Sequence, residues 1–314
     1  MSDFLEQLNQ YLISFDLYRQ RGYDIEQPFI FVIGAPRSGT TLLTQVVAYA
    51  FDAGYICNLT ARFWRAPVTG IRLAKAILGE GIRPGWNSLI GRTEASGPRG
   101  IHEYGYFWRA LFGLKAIDDL ADLERQAKRI DWQGVDDALA SIQHELGDKP
   151  VVMKGIYPAY FPTWMRDLLG DPSTGSGQAN LIWLNIERDP LDTCISILEA
   201  RQAKLGDVRA WLGWYPPEPV LSQVKQIEDP YKQIVVQVSY FRRVYRELAA
   251  LTVSLEDLCI STRHILAQVG EACGLEVVRQ PPPGALGFRD YQGERWAEER
   301  ARFQAEWDLW EALE

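Results

Sequence analysis

The chain has 314 residues, 47% hydrophobic and 24% charged, an ordinary balance for a globular protein and enough length to bury a large core. Its net charge of −8 works against nucleic acid and anionic membranes, so any anion site must be a local concentration of arginine and backbone N–H. Four cysteines without CxxC spacing and three histidines supply neither a disulfide framework nor a zinc site, no apolar run has the length of a membrane span, and a reducing cytoplasm is the expected location.

The start, MSDFLEQLNQYLISF, is acidic and reads as an amphipathic helix with Phe4, Leu5, Leu8, Leu12 and Phe15 on one side, not as a leader. Residues 28–33, PFIFVI, are a β-branched and aromatic run that predicts a buried strand. Gly34, four residues, Gly39 and then Thr40-Thr41 come next. This is the spacing of a phosphate-binding loop, but Thr40 stands where that loop carries its lysine. Apolar residues then recur at helical spacing from Thr41 to Phe51, with Gly54 as the expected stop. A tight turn alone is the weaker reading once a strand precedes the loop and a helix follows it. The N–H groups from Arg37 through Gly39 to Thr41 would lie at the positive end of a helix, an anion site. Arg37 supplies the missing charge, and Ser38, Thr40 and Thr41 supply hydroxyls.

Residues 55–110 are rich in Trp, Arg and Gly and interrupt the alternation of elements, as does 205–230 with WLGWYPPEP. Between them, PVVMK (150–154) and LIWLNI (181–186) are further short apolar runs, and STGSG (173–177) reads as a surface loop. A fourth run, LTVSL (251–255), lies between helices expected around 231–250 and 262–273. Strands alternating with helices predict an α/β fold, a central parallel sheet flanked by helices in a three-layer sandwich like that of P-loop nucleotide-binding proteins. Ligands of such sheets sit at the carboxyl ends of the strands, so loop 34–39, Lys154 and Arg188 should meet on one edge. Arg188 leaves a strand, Pro190 begins a helix and Ser196 lies two turns in, so Arg188 and Ser196 can hold a second anion. Taken alone, Arg188 would equally pair with Asp189 or Asp192. With no repeat or linker, residues 1–314 read as one domain, with 55–110 and 205–230 as insertions that form the acceptor site or a lid.

PRSGTTLL after a strand resembles the 5′-phosphosulfate loop of the sulfotransferases, and RDPLDTCISIL is similar to their 3′-phosphate motif. The likeness to the bacterial type of this family runs from about Phe29 to about Leu275, where VSLEDL and a helix ending in CGL are similar to its C-terminal unit. It implies 3′-phosphoadenosine-5′-phosphosulfate (PAPS) as sulfuryl donor, 3′-phosphoadenosine-5′-phosphate (PAP) as product, and no required metal. Many relatives cover the donor with a loop rich in glycine and lysine that ends in tryptophan. Here FRDYQGERW (288–296) has Gly293 and Trp296 but no lysine, which leaves Arg289 or Arg295 for the 3′-phosphate.

The implied transfer needs in-line geometry and stabilisation of the leaving phosphate, roles for Arg37 and Lys154. It also needs a base. His102 is preferred because imidazole titrates near neutrality, Glu103 follows closely, and Glu94 is third. The acceptor would be a hydroxyl, less readily an amine, of a small molecule, natural product or glycan. Residues 61–67, the aromatics at 104–108, and Trp211, Trp214 and Tyr215 are candidate walls, although each also suits an ordinary core. A P-loop kinase or NTPase with Asp189 on magnesium, and a silent nucleotide-binding module, are the alternatives. Neither the acceptor's identity nor the oligomeric state follows from the sequence.

Overall fold

Five strands, β1 (Phe29–Ile33), β2 (Gly54–Tyr55), β3 (Val151–Lys154), β4 (Leu181–Glu187) and β5 (Leu251–Ser254), pair in parallel in the order β2-β3-β1-β4-β5. The computed structural model describes residues 3–19, 22–86, 94–115, 117–170 and 181–312, so the 173–177 segment lies outside it. The α/β sandwich expected from the alternating pattern is the fold the chain adopts. Successive side chains of a strand point to opposite faces, so a strand covered on both sides needs apolar residues at every position. In β1, Phe29, Phe31 and Ile33 enter one core while Ile30 and Val32 enter the other. In β4, Leu181 and Trp183 face the first core, and Ile182, Leu184 and Ile186 the second. The helices Trp132–Glu145, Pro190–Leu205 and Pro230–Leu248 fill the first face; Thr40–Ala50 and Thr262–Cys273 fill the second.

From β1 the chain builds β2 and β3 on one side, then crosses to β4 and β5 on the other. The winding therefore reverses beside β1, and such a reversal opens a crevice at the carboxyl ends of the strands. The ends of β1, β3 and β4 deliver Gly34, Lys154 and Arg188 to that crevice.

Three local expectations are corrected. Gly54 does not stop the first helix, which ends at Ala50; it pairs with Val151 in the two-residue strand β2, too short to carry an alternating pattern. The 251–255 run is a strand only to Ser254, whose hydroxyl accepts from Asp257 N–H and starts a helix Leu255–Ile260 before the expected one. The N-terminal helix, Asp3–Arg19, docks with only part of the expected stripe: Leu5, Leu8 and Leu12 are half-buried, Leu5 against the first core, while Phe4 and Phe15 are exposed. Its buried contacts are Asn9, bonded to Arg62 O and Arg65 N, and Asp16. Asp16 accepts from Val68 N at 3.1 Å, Thr69 N at 2.8 Å and Thr69 Oγ1 at 2.6 Å, and so caps the Pro67–Leu78 helix, where no local side chain does. A carboxylate at a helix N-terminus is favoured by both hydrogen bonding and the helix dipole.

Candidate active site

The phosphate loop is shaped by its two glycines. A Cβ on Gly34 would lie 2.5 Å from Ser38 Oγ and 2.6 Å from Ile186 O, so only glycine lets the loop pass the end of β4. Gly39 has φ 104, and the Thr40–Ala50 helix begins after it with no side-chain cap. Arg37 is at φ 72, the left-handed region that non-glycine residues rarely occupy. Its Nε donates to Ser196 Oγ at 3.1 Å, which joins the loop to the helix after β4. Burial lowers the Arg37 guanidinium from its ordinary value; Tyr291 opposes this and Arg188 adds to it. Ser38 is buried, and its Oγ makes no hydrogen bond among the described residues.

The lysine that the loop lacks comes from β3. Lys154, in register with Val32, is 3% exposed, and its Nζ donates to Thr41 Oγ1 at 2.7 Å and to Glu103 Oε1 at 2.8 Å. An ammonium has three donors, so one remains for a ligand of the loop.

Glu103 lies deep in the crevice, surrounded by protein, with half of its side-chain surface open to the cavity. Burial pushes its carboxyl up, but the Lys154 charge and hydrogen bond, with His102 and Lys204, outweigh this and hold it below its ordinary value. His102 is tied down on both sides: its N–H donates to Ile56 O at 3.0 Å, and its Nδ1 accepts from Tyr104 N at 2.9 Å. An acceptor Nδ1 places the proton of the neutral ring on Nε2. Tyr104, buried and at φ 56, is strained immediately after the pair. Its ring stacks on Phe107 at 4.5 Å, and its hydroxyl donates to Phe63 O. Among the described residues four non-glycines have positive φ, and two of them, Arg37 and Tyr104, frame this site.

At the other end of the crevice stands Arg188, 7% exposed. Its Nη2 donates to the carbonyl of Arg289, Asp192 lies 3.8 Å away, and its buried Nε has no partner among the described residues. The pairing with Asp192 expected as an alternative is thus long, because Asp192 is taken up by Arg300 and by Tyr291 N. Arg242 donates to Arg188 O at 2.7 Å and to Glu187, fixing where β4 releases the chain. The C-terminal segment lies over this end. The Tyr291 ring is 5.1 Å from the Arg188 guanidinium and 4.9 Å from that of Arg289, and its hydroxyl donates to Glu199 Oε2 at 2.7 Å. Arg289 pairs with Glu199 at 3.0 Å and lines the cavity; Arg295, with its side chain 69% exposed, stacks on Trp296 outside it.

One cavity of about 1100 Å³ connects these groups, lined by Arg37, Gly39, Thr40, Thr41, His102, Glu103, Lys154, Arg188, Ser196 and Arg289. The expected meeting of the loop, Lys154 and Arg188 on one sheet edge is therefore what the fold produces. The proposed aromatic walls are mostly not walls. Trp64, Tyr104, Phe107 and Trp108 belong to the first core, Phe63 is buried outside the cavity, and Trp211 and Tyr215 stack on each other away from it. Trp214 does line it, with Ile156, Tyr157, Leu212 and Phe288. The side chain of Glu94 lies outside the described residues. Asp189, offered above as a magnesium ligand, caps the Pro190–Leu205 helix by accepting from Asp192 N.

Glu199 and Tyr291 escaped the sequence reading. Glu199 was within reach, since Ser196, Glu199, Ala200 and Ala203 follow the i, i+3, i+4, i+7 pattern of one helix face and all line the cavity. Tyr291 depends on a contact across some hundred residues and leaves no local signal.

No family model and no curated protein matches the chain. Among solved structures, the sulfotransferase domain of the Synechococcus PCC 7002 olefin synthase is similar at 18% identity, over 89% of this chain and 82% of that one, with a TM-score of 0.36. A sulfotransferase domain from the curacin biosynthetic pathway is similar at 17% identity, over 86% of this chain and 80% of that one, also with a TM-score of 0.36. At these values the chemistry of the cavity has to be read from its own geometry.

Proposed function

We propose that the chain moves the sulfuryl group of PAPS to a hydroxyl of a small-molecule, natural-product or glycan acceptor. One observation carries this reading: a single cavity has two separate cationic ends, Lys154 on Thr41 and the buried Arg188, bridged by the Arg37–Ser196 hydrogen bond. A ligand with two phosphate-type groups some distance apart matches that division; the partnerless Arg188 Nε and Ser38 Oγ are donors suited to it.

When bound, PAPS supplies the sulfuryl group and leaves as PAP. Arg188 and Ser196 would hold the 3′-phosphate, with Arg289 at the rim, while the loop N–H groups and the hydroxyls of Ser38, Thr40 and Thr41 hold the 5′ end. Lys154 and Arg37 meet the charge that gathers on the leaving phosphate, a preorganised electrostatic role in a partly dry site. The hydroxyl proton of the acceptor passes to Glu103. His102 is the poorer base because Tyr104 N–H occupies Nδ1 and leaves Nε2 protonated, where it can donate instead. Glu103 is a weak base, but a loose transition state asks for little proton transfer before the sulfur bond breaks.

Thermal unfolding with PAP, compared with ATP plus magnesium, tests the reading. Ligand at a hundred times its dissociation constant adds about 2.7 kcal/mol, a clear melting shift. A shift with PAP that Arg188→Ala cuts to about half or less is expected, since loss of a charge-assisted hydrogen bond of about 1.5–3 kcal/mol weakens binding roughly 10- to 100-fold. A shift with ATP and magnesium alone overturns the reading in favour of a kinase.

A further inference from the structure

Arg201 is fully buried on the Pro190–Leu205 helix, five residues beyond Ser196, and among the described residues no carboxylate forms a direct ion pair with it, Asp207 acting only at longer range. Its guanidinium donates only to neutral oxygens: Val208 O at 3.1 Å, Gln233 Oε1 at 2.7 Å and Gln237 Oε1 at 3.5 Å. Nε is buried without a partner, and the Trp211 ring lies 5.5 Å from the charge. A buried cation without a counter-ion is costly, and an apolar side chain would fill the same space at less cost. Burial lowers this guanidinium to about 10, which still leaves it charged at neutral pH.

What the charge organises is the 205–230 segment. Gln233 and Gln237 stand one turn apart on the Pro230–Leu248 helix, and each gives its amide oxygen to Arg201. Each is thereby oriented to give its amide N–H to a loop carbonyl: Gln233 to Ile227 O at 3.3 Å, Gln237 to Leu212 O at 3.1 Å and Trp214 O at 3.4 Å. Between those last two carbonyls lies Gly213, at φ 97. A Cβ there would come within 2.9 Å of Pro36 Cγ and 3.4 Å of Gln237 Nε2. Pro36 precedes Arg37 in the phosphate loop, and Pro36, Leu212, Gly213 and Trp214 all line the cavity.

We infer that Arg201 is a positioning residue, which through Gln237 presses the Leu212–Trp214 wall against Pro36 and so sets the phosphate loop in place. The inference rests on the cavity being a PAPS site, and Arg201 itself touches no ligand. A fork with three donors is what this geometry uses, so lysine, with the same charge and no fork, should not replace it.

The test measures PAP affinity by calorimetry and amide exchange of the full chain, for wild type, Arg201→Gln, Arg201→Lys, Gly213→Ala and the Arg201→Gln/Gly213→Ala double variant. Each single variant should weaken PAP about tenfold. The double variant should be no weaker than either, since both act along one path. Amides 208–215 should exchange faster in every variant, and Arg201→Lys should resemble Arg201→Gln. Unchanged PAP affinity in a folded Arg201→Gln, additive losses, or full rescue by lysine would each overturn the brace. If wild type does not bind PAP, the sulfotransferase reading fails. The brace is then judged on exchange alone: unaltered protection of 208–215 in the variants overturns it, and faster exchange there supports it. Gly213→Ala guards against Arg201 variants that do not fold.

Discussion

At Glu103 two effects compete. Burial favours the neutral acid, while Lys154 at 2.8 Å and the neighbouring His102 favour the carboxylate, and the charges prevail. The carboxyl therefore titrates below its ordinary 4.5, and a rate that needs it ionised stays flat as pH falls from 7 until that lower value is reached. If His102 were the base, the rate would instead begin to drop closer to neutrality, where imidazoles rather than carboxyls gain their proton. The same depressed value stabilises the fold above the unfolded carboxyl's pKa and is lost as pH falls through the folded one, so melting has to be followed alongside the rate. Rates against pH with any hydroxyl acceptor that turns over decide between the two residues. Glu103→Gln should lower turnover by about 10²-fold, the low end for a general base because little proton transfer is needed, while PAP still binds, and His102→Asn should cost less. An acid limb near neutrality that disappears in His102→Asn would return the role to the histidine.

The C-terminal segment shows how one element sets the state of another. Glu199 holds Arg289 at 3.0 Å and Tyr291 at 2.7 Å, and it brings a negative charge to the end of the cavity where Arg188 stands. Glu199→Gln removes that charge and frees Arg289 for a phosphate, so PAP should bind about two- to fivefold more tightly, the scale of a partly exposed ion pair. Weaker binding in Glu199→Gln would mean that the latch builds the site rather than competing with its ligand. Elements of this kind mark the limit of what the sequence discloses. The phosphate loop, β1, β4 and the Arg188–Ser196 spacing were legible because each is encoded within a dozen residues by glycine position and apolar run. Asp16 capping a helix at Val68, Lys154 reaching Thr41, and Tyr291 lying against Arg188 join residues between 52 and 113 positions apart. No local periodicity carries them. The tryptophans misled for a related reason: aromatic side chains suit a core and a ligand wall equally, and only packing showed that Trp108 is core and Trp214 is wall.

Over the whole molecule, charge is sorted by place. The chain carries −8, yet the cavity gathers Arg37, Lys154, Arg188 and Arg289, while among the described residues several arginines elsewhere are paired, Arg72 with Glu145, Arg246 with Glu187 and Arg279 with Asp52 among them. PAP bears about three to four negative charges, so it meets net repulsion at a distance and attraction only near the cavity mouth. The screening length falls from about 30 Å at 0.01 M salt to about 8 Å at 0.15 M, which removes the distant repulsion first and the contacts within the cavity last. The association rate for PAP should therefore hold or rise up to about twofold over that range. At higher salt, faster dissociation should weaken the affinity, by about tenfold between 0.05 and 0.5 M. Stopped-flow binding over a salt series separates the two rates. A protein whose surface as a whole steered the ligand would show an association rate that falls steeply from the lowest salt upward. That result would place the cationic field outside the cavity, on a surface that the pairing of these arginines does not predict.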